Sequence, residues 1–392
     1  MAEGTHRPSW VEVDLDAIAH NAAVLAAVAA PAALCAVVKA DAYGHGAVPV
    51  ARAALAGGAT SLAVAIEDEG VELRRAGIRA PILILAEPAA GAMAETFRFG
   101  LTPTIYTSEG LALARKGAAE AAVGAPAPVE IKVDTGMHRV GADEADVAAL
   151  AAAVLGASEL ELAGLWTHLA VADEPENEFT AEQLQRFAAV RASLAAGGLS
   201  RLGRVHAANT AGALAWPAAR LDIVRCGIGL YGYCPGPALS GTLASAVAAA
   251  GCGQGLKPAL SWISQVALVR ELEAGERVSY GLLKPLERRS VVATVPLGYA
   301  DGIPRSFFTG GGEVLIGGSR RPLAGTVTMD QIVVDCGPDA SVAKGDEVVL
   351  IGRQGEQAVT ADDWAGVLGT INYEVITRIG PRVPRQYKGA SA

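Results

Sequence analysis

The chain has 392 residues, about half of them hydrophobic, and a formal charge of −9 from 32 basic and 41 acidic side chains. That length buries a large core and favours two domains, one of which could be of barrel size. An acidic balance without basic clusters argues against nucleic acid or anionic membrane as main partner and leaves a small-molecule site as the default. The five cysteines, Cys35, Cys226, Cys234, Cys252 and Cys336, form no Cys-x-x-Cys pair. They read as reduced thiols of a cytoplasmic protein, with neither a disulfide framework nor a metal site expected. Residues 1–10 are polar and lack the plan of a signal peptide. The Ala-rich run from Ala22 to Val38 is interrupted by Pro31 and splits into a helix and a strand, so no membrane span is expected.

From Asp14 the apolar residues Leu15, Ile18, Leu25 and Val28 recur near helical spacing until Pro31. Short apolar strands then alternate with helical segments. They are expected at Leu34–Val38, Leu62–Ile66, Ile82–Leu85, Thr102–Ile105, Val129–Val133, Leu162–Thr167, Arg204–Ala207 and Leu221–Val224. Each is nearly continuous in apolar residues, the pattern of strands covered on both faces. Eight such units within residues 14–255 predict an α/β fold with an N-terminal (β/α)8 barrel of the TIM type. Pro103 makes the fourth strand the weakest of the set.

The texture changes at Gly251, Gly253, Gly255 and Pro258, where a domain boundary is expected. Alternating stretches follow at Trp262–Leu272, Val291–Pro296, Val314–Ile316 and Val348–Ile351. They predict a mostly β C-terminal domain over residues 256–392, joined by an N-terminal strand at 8–13.

In such a barrel the reactive side chains sit where strands end. The first strand runs into Ala36-Val37-Val38-Lys39-Ala40-Asp41-Ala42-Tyr43-Gly44-His45-Gly46. An amine at the top of an apolar strand can lose its proton through desolvation and attack an aldehyde to form a Schiff base. Taken alone, Lys39 reads rather as a packed stem with a solvated head.

The whole string, however, is similar to the cofactor-lysine motif of the alanine racemases. The similarity continues through Lys132-Val133-Asp134-Thr135-Gly136-Met137-His138-Arg139, Thr167-His168, His206-Ala207-Ala208-Asn209-Thr210 and Arg225-Cys226-Gly227-Ile228-Gly229. In the second half it covers Val278-Ser279-Tyr280-Gly281, Gly298-Tyr299-Ala300-Asp301-Gly302, Met329-Asp330-Gln331 and Ile371-Asn372-Tyr373-Glu374. The resemblance implies a fold-type III pyridoxal 5′-phosphate enzyme. It would interconvert L- and D-alanine by a two-base mechanism through an aldimine and supply D-alanine for peptidoglycan. Lys39 would carry the cofactor and serve one face of the substrate Cα, with Tyr280 on the other.

The loops after strands seven and eight, where TIM barrels often hold phosphates, carry Asn209, Thr210, Gly227 and Ile228; the resemblance adds Tyr43 and Tyr373. Arg225 resembles the arginine aimed at the pyridine nitrogen, and a guanidinium that keeps its proton leaves that nitrogen largely unprotonated. Taken alone, Arg225 reads as a salt bridge with Asp222. His168 resembles part of the chain supporting the tyrosine, and Arg139 resembles the residue that meets the substrate carboxylate. Met329, Asp330 and Tyr299 resemble the edge of a pocket for a small side chain, and Lys132 stands where several members carry a carbamylated lysine. In the family the β-domain residues reach the cofactor from the other subunit of a homodimer with shared sites. The sequence departs from the common pattern at Thr210, where many members have serine, and at Gly325-Thr326-Val327-Thr328.

Three other readings remain open. A single-domain carrier of the same cofactor would lack an opposing tyrosine. A decarboxylase would place other residues opposite the lysine. A racemase of serine or lysine would share this chemistry.

Overall fold

The computed structural model describes residues 7–122 and 124–389. Residues 1–6 of the polar start and the last three of the expected β domain lie outside them.

Strand β1 (Ser9–Asp14) leads into a helix, Leu15–Ala29, whose first turn is capped by the Asp14 carboxylate accepting from Ala17 N at 2.9 Å. Eight strands follow: β2 (Ala33–Val37), β3 (Ser61–Val64), β4 (Ile82–Ile84), β5 (Thr102–Ile105), β6 (Ala127–Lys132), β7 (Leu160–Trp166), β8 (Arg204–His206) and β9 (Ile223–Cys226). They close into a barrel in chain order. Every neighbouring pair is parallel, and β2 pairs with β9.

All eight expected strands fall within two residues of their observed ends, and Thr102–Ile105 coincides despite Pro103. The last strand is shifted by two residues at both ends. It starts at Ile223 because Leu221 adopts a φ of 47° and the Asp222 carboxylate accepts from Val205 N at 2.7 Å, closing a turn. Arg225 therefore lies within β9, and Asp222 is bound elsewhere.

Alternation along the strands places Lys132, Trp166, His206 and Arg225 in the barrel interior, all of them buried. That interior is otherwise filled by branched apolar residues in this fold. The polar set is the first sign of a site.

Beyond the barrel come β10 (Leu260–Gln265), β11 (Leu268–Leu272), β12 (Ser290–Val295), β13 (Glu313–Ile316), β14 (Ser319–Pro322), β15 (Ile332–Gly337), β16 (Glu347–Gln354), β17 (Gln357–Val359) and β18 (Arg385–Lys388). The order β14-β13-β16-β10-β1-β18, with β17 beside β16, makes one sheet, and β11-β12-β15 makes another. The expected stretch Trp262–Leu272 is thus two strands in different sheets. Strand β1 lies antiparallel to β10 and parallel to β18. Trp262, Phe307 and Trp364 form an aromatic core, with the Phe307 and Trp364 ring centroids 3.9 Å apart. Two short helices, Ala361–Leu368 and Asn372–Thr377, complete the domain. Among the described residues no helix is long and apolar enough to cross a membrane.

Candidate active site

A cavity of about 440 Å³ opens at the C-terminal ends of the barrel strands. It is lined by Lys39, Tyr43, Lys132, Arg139, His168, Asn209, Thr210, Arg225, Gly227, Ile228 and Tyr373, which are the barrel-side residues expected from sequence together with one from the second domain. Among the described residues no aspartate or glutamate lines it.

Lys39 follows β2 and opens an unusual segment. Ala40, Asp41, Ala42 and Tyr43 all have φ of 52–53°, a left-handed turn built without glycine. Such a conformation costs about 1–2 kcal/mol per residue, so the surroundings must over-determine it. They do. Glu69 Oε1 accepts from Ala40 N at 2.6 Å, Asp41 Oδ1 accepts from Ala47 N at 2.8 Å, and Arg385 Nε donates to Gly44 O at 3.0 Å. The turn carries Tyr43 across to the loop after β9. A Cβ on Gly227 would lie 2.4 Å from Tyr43 Oη, so only glycine lets the phenol approach this closely. Burial lowers the Lys39 pKa, and the Arg139 guanidinium adds to the effect.

Thr210 Oγ1 accepts from Gly227 N at 3.1 Å and from Gly229 N at 3.5 Å, tying the loops after β8 and β9 together. Ile228 opens a short 3-10 turn, Ile228–Tyr231, so its backbone N–H lies in an unsatisfied first turn. Asn209 Oδ1 accepts from Gly212 N at 2.9 Å and caps the helix Thr210–Ala215, which makes Asn209 a structural cap as well as a lining residue. Burial pushes the Tyr43 phenol up to about 12 and raises that of Tyr373, so both stay neutral donors. This corner holds hydroxyls and backbone N–H groups, the chemistry of an anion cradle.

Arg225 is fixed from several sides. One terminal nitrogen donates to His206 Nδ1 at 2.7 Å; the other donates to Thr167 O at 2.9 Å, His168 Nδ1 at 3.2 Å and Ala207 O at 3.2 Å. None of these bonds uses Nε. Because arginine only donates, His168 must carry its proton on Nε2. Burial, reinforced by Arg225, holds His168 well below the ordinary histidine range, so it is a neutral imidazole. Burial lowers Arg225 to about 10, which leaves it charged at neutral pH.

Lys132 is 2% exposed, and its Nζ lies 4.9 Å from the centroid of the Trp166 ring, which also faces Arg225 at 4.5 Å. Burial and then Arg139 lower its pKa to about 8. Four cationic side chains therefore converge on a cavity without a lining acid.

Four sequence-expected residues are not brought to this cavity within one chain. Tyr280, Tyr299 and Met329 are 71%, 44% and 54% exposed. Asp330 is exposed too and accepts from Arg382 Nη2 at 2.8 Å. They share the exposed side of the second domain with Leu282 and Leu283.

Sequence reasoning missed Trp166 as the cavity floor and Glu130 beneath it. The available signals were an acid between Val129 and Ile131 in an apolar strand, and a tryptophan directly before Thr167-His168.

Comparison with known proteins places this geometry. A family model described as alanine racemase, N-terminal domain, matches residues 13–235, and one described as alanine racemase, C-terminal domain, matches 259–387. An alanine racemase of Symbiobacterium thermophilum is 45% identical over 387 residues, covering 98% of each chain. One from Frankia casuarinae is 44% identical over 390 residues, covering 98% of this chain and 97% of its own. Among solved structures, alanine racemase from the D-cycloserine producer Streptomyces lavendulae superposes with a TM-score of 0.89 at 39% identity, covering 98% of each chain. The Bacillus anthracis enzyme, solved with bound L-Ala-P, gives 0.89 at 36% identity over 99% of this chain and 97% of that one. With both family domains matched in order and identity sustained over the whole length, the chain belongs to the alanine racemase family of isomerases.

Proposed function

We propose that the cavity holds pyridoxal 5′-phosphate and that the protein racemises alanine as a cytoplasmic homodimer, supplying D-alanine for peptidoglycan. One observation carries this reading: Lys39, Lys132, Arg139 and Arg225 converge with neutral phenols on a cavity that no carboxylate lines. Such a donor set suits a ligand with several separate anionic or acceptor groups. Tyr43, Thr210, Gly227, Ile228 and Tyr373 would hold the phosphate. Arg225 would turn its free Nε–H to the ring nitrogen. When bound, pyridoxal phosphate supplies an aldehyde for the substrate amine and a ring that draws electrons from the substrate Cα.

The residues do the rest. Arg139 holds the substrate carboxylate, and Tyr299, Met329 and Asp330 of the partner subunit limit the side chain to a methyl group. Racemisation needs a proton carrier on each face of Cα. Lys39, with its lowered pKa, takes or returns the proton at Cα on one face. Tyr280 of the partner subunit serves the other, supported by His168 and Arg225. Arg225 keeps its own proton and so leaves the ring nitrogen unprotonated, which limits electron withdrawal and disfavours side reactions. Lys132, part-neutral near its pKa of about 8, is the amine form able to take up CO2 as a carbamate facing Arg139.

The test is a pair of variants. Lys39→Ala should lose both the visible absorbance of the bound cofactor and all turnover. Tyr280→Phe should keep the absorbance and lose solvent-deuterium exchange at Cα from one enantiomer only. Equal slowing for both enantiomers would remove the two-base assignment.

A further inference from the structure

We propose that Glu130 is a positioning residue: its carboxylate fixes the tautomer of His206 and so holds the plane of Arg225. The inference rests on the reading in which Arg225 faces the cofactor ring.

His206 lies between the two. Its Nδ1 faces Arg225 Nη1 at 2.7 Å and its Nε2 faces Glu130 Oε2 at 2.9 Å. A guanidinium has no acceptor, so Nδ1 must present its lone pair. A neutral imidazole then carries its proton on Nε2; burial lowers the His206 pKa, and this outweighs the opposing pull of the Glu130 carboxylate, with Arg225 adding to the lowering. That proton needs an acceptor in a place where the histidine and glutamate side chains are 1% and 10% exposed. Glu130 provides it. Were the acceptor removed, the proton would be stranded or would move to Nδ1, where it would oppose the Arg225 N–H. Either outcome tilts the guanidinium and moves its Nε–H.

The surroundings are shaped for this carboxylate. On the adjacent strand, a Cβ at Gly164 would lie 2.8 Å from Glu130 Cδ, so glycine makes its room. The Trp166 ring stacks on the His206 ring at 5.8 Å and 10° and restricts its rotation. Arg225 lines both the main cavity and a small one of about 40 Å³ beneath, where Glu130 and His206 sit. The line Glu130–His206–Arg225–His168 thus runs through the barrel: Arg225 donates to both histidines, and the acid at the lower end accepts the one proton of His206 that the arginine cannot.

The experiment uses the holoenzyme labelled with 15N-histidine, whose six histidines are few enough to assign. In the wild type, His206 should be neutral with its proton on Nε2. E130L should lower kcat at least about tenfold, as expected for a stranded buried donor, with KM for L-alanine within about threefold. E130L should also lose the Nε2–H signature. E130Q, whose amide oxygen can still accept, should keep that signature and a kcat within about threefold of wild type.

A wild-type His206 protonated on Nδ1 or on both nitrogens overturns the proposal, as does an E130Q variant no faster than E130L. Should E130L fail to fold, the wild-type spectrum and E130Q decide. If the purified protein shows no visible absorbance with pyridoxal phosphate, the functional reading fails instead, and the histidine spectra still report the tautomer.

Discussion

Lys132 stands over the face of Trp166, its Nζ 4.9 Å from the ring centroid, while the same indole receives the Arg225 guanidinium at 4.5 Å. The ring faces two buried cations, and burial, with Arg139 adding to it, still lowers the lysine pKa to about 8. A depressed lysine makes stability depend on pH. Below pH 8 it is protonated folded and unfolded alike, and the folded state bears the cost of the buried charge. Above 8 and up to the ordinary lysine range, the unfolded chain binds more protons, so stability rises with pH. In CO2-free buffer, urea unfolding should show wild type gaining on Lys132→Met between pH 8 and 10, by up to about 1.4 kcal/mol per pH unit. A flat difference over that window would contradict the lowered amine.

Gly227 tests the anion cradle by shape. Its φ of −104° is negative, and a Cβ there would lie 2.4 Å from Tyr43 Oη, the movable end of that side chain. Gly227→Ala should fold normally and bind pyridoxal phosphate at least about tenfold more weakly, the cost of displacing one good hydrogen-bond donor. Titration of the cofactor-free protein, followed by absorbance, measures it. Unchanged affinity would mean that Tyr43 is not in the cradle.

The exposed Tyr280, Leu282 and Leu283 form an apolar edge at 71%, 53% and 58% exposure. Burying it against a second copy would explain it. On the proposed reading, in which each chain holds its own cofactor and receives Tyr280 from a second copy, Leu283→Asp should sediment as a monomer, keep its visible absorbance and lose turnover. A fully active monomer would rule out shared sites.

Asp301 is fully buried and is gripped by both terminal nitrogens of Arg7, at 2.5 and 2.7 Å. Its carboxylate also accepts from Gly298 N at 2.9 Å and so shapes the turn that carries Tyr299. Arg7→Ala leaves the buried carboxylate with the Gly298 N–H and, among the described residues, Arg382 Nε 3.6 Å away as its one remaining cation. The expected loss is about 3 kcal/mol in denaturant unfolding, the lower end for breaking a buried pair. A loss below about 1 kcal/mol would show that Arg382 suffices.

The barrel was legible because parallel strands covered on both faces are written as nearly unbroken apolar runs, and Leu34–Val37 or Ile82–Ile84 admit few other readings. The last strand, expected at Leu221–Val224, lies two residues later because the start of β9 depends on the Asp222 side chain and on a left-handed Leu221, neither of which has a periodic signature. The left-handed turn after Lys39 was invisible for a similar reason: of Ala-Asp-Ala-Tyr only the aspartate tolerates positive φ readily, and two of the contacts that hold the turn come from Glu69 and Arg385, distant in sequence. Glu130 escaped notice because its role exists only through His206, which folding brings from 76 residues away. The single chain leaves Tyr280 outside the cavity, so its place follows from motif and chemistry together.

Strand β1, held between β10 and β18, stitches the beginning of the chain to its end. In connectivity the barrel is therefore a long insertion within the β domain. A single proteolytic nick near residues 251–255 should release neither half, because β1 would still anchor the barrel to the sheet. During synthesis, the first strand must wait for some 240 residues to emerge before its partner β10 exists, and for the whole chain before β18 does, so the larger sheet is among the last parts that can be completed.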